Sequence, residues 1–176
     1  PQPHSYRTLL LDYDSLSDAL GAIYARATAP FEMDALDIEP ESNGVFRLVI
    51  LLGGLPNALP GRIERLQAFL QEKTTILQTK QLSQDDGYWR GQNSLLWGIE
   101  STHLVKIPLA PKQIPALDAT LTGQRRYTSG GNLAWVATND VTTLDKSLAE
   151  QGLVGLTLRG LGKRPYLGQR NGVALA

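Results

Sequence analysis

The stretch "YRTLLLDYDSLSDALGAIYARA", Tyr6 to Ala27, carries the reading that decides the fold. Its first part, Tyr6 to Tyr13, is apolar and β-rich and predicts a strand. Behind a capping Asp14 or Ser15, Leu16, Leu20, Ile23 and Tyr24 then recur at helical spacing. "FEMDALDI" (Phe31 to Ile38) alternates as a strand, and "GVFRLVILL" (Gly44 to Leu52), rich in Val and Ile, is a stronger one. After the turn "GGLPNALPG", "RIERLQAFLQE" places Ile63, Leu66, Phe69 and Leu70 on one helical face. "TTILQTK" (Thr74 to Lys80) closes the series as a short strand. The order is β-α-β-β-α-β.

The same order returns further along. "THLVKIPL" (Thr102 to Leu109) predicts a strand, and "PKQIPALDATL" a helix opened by Pro111. "RRYTS" and "NLAWVAT" are two strands joined at Gly130-Gly131, a two-residue hairpin signal. "VTTLDKSLAEQ" is a helix capped by Asp140 and stopped by Gly152, and "VGLTLRG" is the last strand. Between the copies, "SQDDGYWRGQNSLLWGI" predicts a connecting helix. The fold class expected is therefore α+β: two ferredoxin-like βαββαβ units forming a large antiparallel sheet of about eight strands, with helices on one face. Repeat one covers about 6–80, the connecting helix about 83–98 and repeat two about 102–158, a domain of 1–158 followed by a tail, 159–176.

That architecture leaves the second sheet face without a helix layer. In "THLVKIPL", His103, Val105, Ile107 and Leu109 share one side and suit the helices. Thr102, Leu104, Lys106 and Pro108 share the other, polar enough to meet water, a ligand or another domain.

Composition narrows the chemistry. Hydrophobic residues make up 42% and charged residues 19% of 176 residues, a globular balance. Seventeen lysines and arginines cancel seventeen aspartates and glutamates, so no basic excess points to nucleic acid. The absence of cysteine excludes disulfides, a thiol nucleophile and iron–sulfur ligation within the chain. No apolar run approaches the ~20 residues that span a bilayer.

Familiar motifs fail in instructive ways. The tail "RGLGKRPYLGQRNGVALA" begins like a dinucleotide loop, but Pro165 stands in the third glycine's place. As a P-loop it has Arg164 after Gly162-Lys163 and Thr157 where the first glycine belongs. Arg159, Lys163, Arg164 and Arg170 can contact an anion or simply lie in a solvated linker. His4 and His103 are too far apart to expect a metal, and no Gly-x-Ser-x-Gly elbow announces a hydrolase. The carboxylates Glu32, Asp34, Asp37, Glu39 and Glu41 can line an edge, where close pairs would suit acid–base work, but they read best as a solvated edge that discourages aggregation. Asp85 and Asp86 suit a helix start. Trp89, Trp97 and Trp135 either pack the core or an interface or, with a neighbouring arginine, grip an organic acid or a flavin. Lys106, Arg90, Arg126 and Trp89 are the candidates for substrate or interface contacts on the open face; no catalytic residue and no metal ligand is assigned.

Several stretches resemble the C-terminal cap domain of FAD-linked oxidases, and most of all the smaller FAD-binding subunit of bacterial glycolate oxidase. They are the opening from Pro1-Gln2-Pro3 through "DSLSDAL", "WRGQNSLLWGIESTHLVKIPL", the "SGGNLAWV" hairpin and the closing tail. The resemblance implies a cap, or substrate-side, domain of a flavin-dependent 2-hydroxy-acid oxidoreductase. FAD would be bound mainly by a domain preceding Pro1, and the tail would be a connector cut short. It implies a small 2-hydroxy acid as substrate, partner subunits including an iron–sulfur subunit, and a cytoplasmic location, peripheral to the inner membrane through those partners. The histidine-rich "H-x-G-D-G-N-x-H" segment of the larger subunits is missing here, so the chain alone is expected to be inactive. The alternative is a non-catalytic ferredoxin-like module that binds or senses a small ligand. Either way, the open face is expected to be covered, for instance in a homodimer.

Overall fold

Alternation along the first strand is immediately visible in the computed structural model, which describes residues 5–27, 29–41, 44–82, 87–160 and 165–168. Leu9, Leu11 and Tyr13 of β1 (Ser5–Tyr13) are fully buried on one side, and their ladder partners Ile50, Leu48 and Phe46 of β3 (Phe46–Gly54) extend the same side. Leu36 and Ile38 of β2 (Ala35–Pro40) complete it. Against this apolar side lie α1 (Leu16–Ala27), through Ala19, Leu20, Ala22 and Ile23, and α2 (Leu59–Lys73), through Leu59, Ile63, Leu66 and Leu70. β4 (Gln78–Leu82) pairs with the far edge of β1, so the strand order is β4-β1-β3-β2, antiparallel throughout.

These elements make the first of two units, Pro1–Tyr88 with Thr128–Gly131. Ser15 is the true cap of α1, its hydroxyl accepting the amide N–H of Asp18 at 3.1 Å. Phe69 is half-buried and meets Phe31 with ring centroids 5.4 Å apart. β2 starts four residues later than the alternation from Phe31 suggests. Asp34 ends the preceding turn instead, its carboxylate accepting the N–H of Gly53 at 2.6 Å.

The second unit comprises Trp89–Tyr127 and Asn132–Ala176. Its strands are β5 (His103–Pro108), β6 (Gln124–Thr128), β7 (Leu133–Thr138), β8 (Gly155–Arg159) and the short β9 (Tyr166–Leu167), in the order β6-β7-β5-β8-β9. Val105 and Ile107 face α5 (Val141–Gln151); a methyl added to Gly155 would strike Val105, Leu148 and Ile107 together. α5 has its expected ends: Asp140 Oδ1 accepts from Thr143 N at 3.0 Å, and Gly152 stops the helix at φ 66°.

Four expectations need correction. The helix from Pro111 is a 3-10 turn, Pro111–Gln113, followed by only α4 (Ile114–Asp118), because Pro115 withholds an N–H where a longer helix needs one. The hairpin between β6 and β7 has four residues, 129–132, not two; Ser129, Gly130 and Gly131 all adopt positive φ. The connecting helix is confined to α3 (Tyr88–Asn93) and a 3-10 turn, Leu96–Gly98, broken at Leu95 (φ 57°); Ser83 to Asp86 lie outside the described residues. The strands among the described residues number nine, because part of the tail pairs with β8. Leu167 is buried there, and the Gly168 N–H donates to Asp145 at 2.6 Å.

Candidate functional site

In the second unit the side chains sort themselves by strand alternation. Arg125 and Tyr127 of β6 both reach Asp118 of α4, so they point to the helices. Arg126, between them, points the other way. Lys106 pairs with Trp135 across β5 and β7, and both lie opposite the helix-facing Val105 and Val136. Arg126, Lys106 and Trp135 therefore share the helix-free face.

Two cations stand over two indoles on this face. Lys106 Nζ is 5.6 Å from the Trp135 ring centroid, and the Arg126 guanidinium carbon is 5.7 Å from that of Trp89. Arg126 is only 5% exposed and also donates to Gln92 Oε1 at 2.8 Å. Lys106 is half-buried, and among the described residues no carboxylate lies within ion-pair distance of it. Arg90, the fourth candidate, is exposed on the outer side of α3. The structure thus joins Trp89 to Arg126, and Lys106 to a tryptophan. An ammonium and a guanidinium held beside aromatic faces can recognise a carboxylate attached to a planar or apolar group.

The face is not wholly open, contrary to expectation. Leu104 is buried, and Gly98 lies over it, close enough that a methyl on Gly98 would come 2.7 Å from Ala137 Cβ. Arg159, in the same row, donates to the carbonyls of Gly98 and Ser101. Only a residue without a side chain fits between this row and the chain above it. Gln92 and Gly98 escaped the sequence reading. A glycine inside "LLWGI" was the one available signal that the helix ends there, and Gln92 left none.

Around Asp118 the chemistry is structural. Arg125 holds its carboxylate with Nε at 2.5 Å and Nη2 at 2.8 Å, and the Tyr127 hydroxyl donates to it at 2.5 Å. Burial first, and then the Asp118 charge, push the Tyr127 phenol far above its usual range.

In the first unit the acidic stretch is not the solvated edge expected. The Asp37 carboxylate, 5% exposed, accepts the Ser129 N–H at 3.1 Å, while the Gly130 N–H donates to Leu36 O at 2.7 Å. Tyr88 donates to Glu39 at 2.6 Å, and Glu41 pairs with Arg47 at 2.5 Å. Arg47 also forks onto Asp12 at 2.7 and 3.0 Å, and those hydrogen bonds, against the cost of burial, hold its pKa above the ordinary value. Four of the five carboxylates are thus fasteners, and Glu32 contributes its carbonyl to Arg62.

His103 is half-buried at the end of β5, with Nδ1 2.9 Å from the Thr102 hydroxyl. Among the described residues no three His, Cys, Asp or Glu side chains are placed to hold a metal ion, and no helix is long and apolar enough to cross a membrane. His4, Lys163, Arg164, Arg170, Asp85, Asp86 and the Pro1–Pro3 stretch lie outside the described residues.

Comparison with known proteins leaves the family open. No family model matches the chain, and no curated protein matches it. Among solved structures, a microcompartments protein from Desulfitobacterium hafniense DCB is similar over 90% of this chain and 96% of its own, at 17% identity and a TM-score of 0.34.

Proposed function

We propose that the chain is the cap, or substrate-side, domain of a flavin-dependent 2-hydroxy-acid oxidoreductase, built from two ferredoxin-like βαββαβ units. FAD would be held mainly by a separate domain, and glycolate is the substrate class that the sequence resemblance favours. The observation that carries the proposal is the pair of cation-over-indole contacts on the sheet face opposite α4 and α5, Lys106 with Trp135 and Arg126 with Trp89 of α3. The strand orders β4-β1-β3-β2 and β6-β7-β5-β8 support the two-unit reading, because each is the order a split βαβ repeat gives.

The reaction proposed is oxidation of a 2-hydroxy acid to the 2-oxo acid, which requires an acceptor for the α-carbon hydride and releases the hydroxyl proton to solvent. FAD supplies that hydride acceptor when bound. The chain's share is to hold the substrate carboxylate on Lys106 or a neighbouring guanidinium and to keep water away. A chain without cysteine ligates no iron–sulfur cluster, so any such centre would be held by partner subunits. The proposed setting is the cytoplasm, beside the partner subunits.

Flavin titration tests this. FAD fluorescence is followed for the chain alone and for the full-length gene product that carries it. The expected result is binding by the longer protein only, with loss of its flavin absorbance on adding glycolate. A full-length protein that ignores FAD overturns the reading and leaves a ferredoxin-like small-ligand module in its place.

A further inference from the structure

On the face of the second unit opposite α4 and α5, Arg159, Leu104 and Ala137 form one row across β8, β5 and β7. Residues 89–98 lie over it. Among the contacts that hold them there are Trp89 and Gln92 on Arg126, Gly98 O on Arg159, and Gly98 against Ala137 and Leu104. No residue of α3 is fully buried and Leu96 is 60% exposed, while Trp89, Leu95 and Trp97 are half-buried, so the segment covers the face without sinking into a core. At its middle Leu95 sits at φ 57°, ψ 18°, a left-handed conformation that a bulky side chain keeps only where its surroundings impose it.

We infer that residues 89–98 form a displaceable strap, and that the row beneath it is a binding site for an organic anion with a short apolar body. The two ends of the strap occupy two guanidiniums. Lifting it takes Trp89 and Gln92 from Arg126 and the Gly98 carbonyl from Arg159. In the strand order β6-β7-β5-β8, Arg159 ends the row made by Ala137 and Leu104, and Arg126 stands beyond β7 on the same face, nearer the Lys106–Trp135 pair. A carboxylate replaces the carbonyl on a guanidinium with a stronger, charge-assisted bond. An alkyl body covers the row the strap has left. The inference stands on this geometry and does not depend on the flavin reading.

The cysteine-free chain makes a clean test. Ala137→Cys puts a thiol under the strap. Ala134→Cys puts one on the helix side, where Ala134 pairs with Ile107 and is equally buried. If the strap lifts by itself, a maleimide labels position 137 roughly tenfold or more faster than position 134, which opens only with the unit. Equal rates overturn the strap. Hexanoate is then titrated against tryptophan fluorescence, with hexan-1-ol as the uncharged match. A saturable change with hexanoate alone is expected, and an equal response to the alcohol overturns the anion site.

The pair Gly98→Cys/Ala137→Cys, oxidised, locks the strap once the two backbones part by about an ångström, as disulfide geometry requires. The lock should abolish the hexanoate response, and reduction should restore it. A response that survives the lock overturns gating by the strap. Should that pair fail to fold, Arg159→Gln serves instead: position 137 should label faster and hexanoate should bind more weakly, whereas unchanged labelling and binding count against the inference.

Discussion

The guanidinium carbon of Arg126 lies 5.7 Å from the ring centroid of Trp89, although the two residues sit on opposite sides of β5 in the sequence. Because Arg126 is almost wholly buried, its charge needs that ring and the Gln92 carbonyl oxygen. A double-mutant cycle between Trp89→Ala and Arg126→Met, read by urea denaturation, should give a coupling of about 0.5–2 kcal/mol. A coupling near zero would mean that the two side chains are neighbours without being partners.

Asp118 carries more. Replacing it with alanine leaves the Arg125 guanidinium and the Tyr127 hydroxyl without their shared acceptor in a site only 12–18% exposed. Stability should fall by about 2–4 kcal/mol, the range for breaking a buried pair with some relief from partial exposure. The exposed pair Lys73–Glu72, removed in the same way, should leave the midpoint of unfolding unchanged.

Tyr127 predicts an alkaline weakness. Burial raises its pKa above the usual 10.0, so as pH rises the unfolded chain loses that proton before the folded one does. Stability is fully present below about pH 10 and falls above it, by at most about 1.4 kcal/mol per pH unit for this one group. Tyr13, raised mainly by burial as well, adds a fall of the same sign. Urea midpoints measured either side of pH 10 should show the fall, and Tyr127→Phe should flatten it. A Phe variant with the wild-type slope would assign the weakness elsewhere.

At Gly155, β8 lies close against α5 and β5. A methyl there would come 2.7 Å from Val105 Cγ1 and 3.0 Å from Leu148 Cδ1. Gly155→Ala should cost about 1–3 kcal/mol through overpacking, and Leu148→Ala in the same background should return part of it by vacating the space. Thermal unfolding of the two single variants and the double variant checks this.

Lys106 separates function from stability. Its half-exposed ammonium interacts with the Trp135 ring, so Lys106→Gln should change folding stability by no more than about 1 kcal/mol. On the proposed flavin reading, the same change should raise the KM for a 2-hydroxy acid about tenfold in a longer protein that binds FAD, the cost of one lost charge-assisted contact. An unchanged KM would remove Lys106 from the substrate's path.

Much of this was legible from periodicity. The α1 and α5 boundaries, the buried faces of Ile63, Leu66 and Leu70, and the division of Val105 and Ile107 from Leu104 and Lys106 all follow from repeats of 3.6 and 2. What periodicity misread were places where one residue outweighs its neighbours. Pro115 cut a helix short, Leu95 broke the connecting one, and Gly98 let the chain settle onto a face expected to be bare.

The amino-acid sequence by itself therefore determined the order of elements, their caps and which side of each strand is apolar, because these depend on residues within a turn or two of one another. Tertiary structure alone decided the partners: Asp37 for Ser129, Glu39 for Tyr88, Arg159 for the Gly98 carbonyl, Gln92 for Arg126. Those pairs lie between 34 and 92 residues apart, and a polar side chain has no preferred mate at such distances until the strand order brings one within hydrogen-bonding reach.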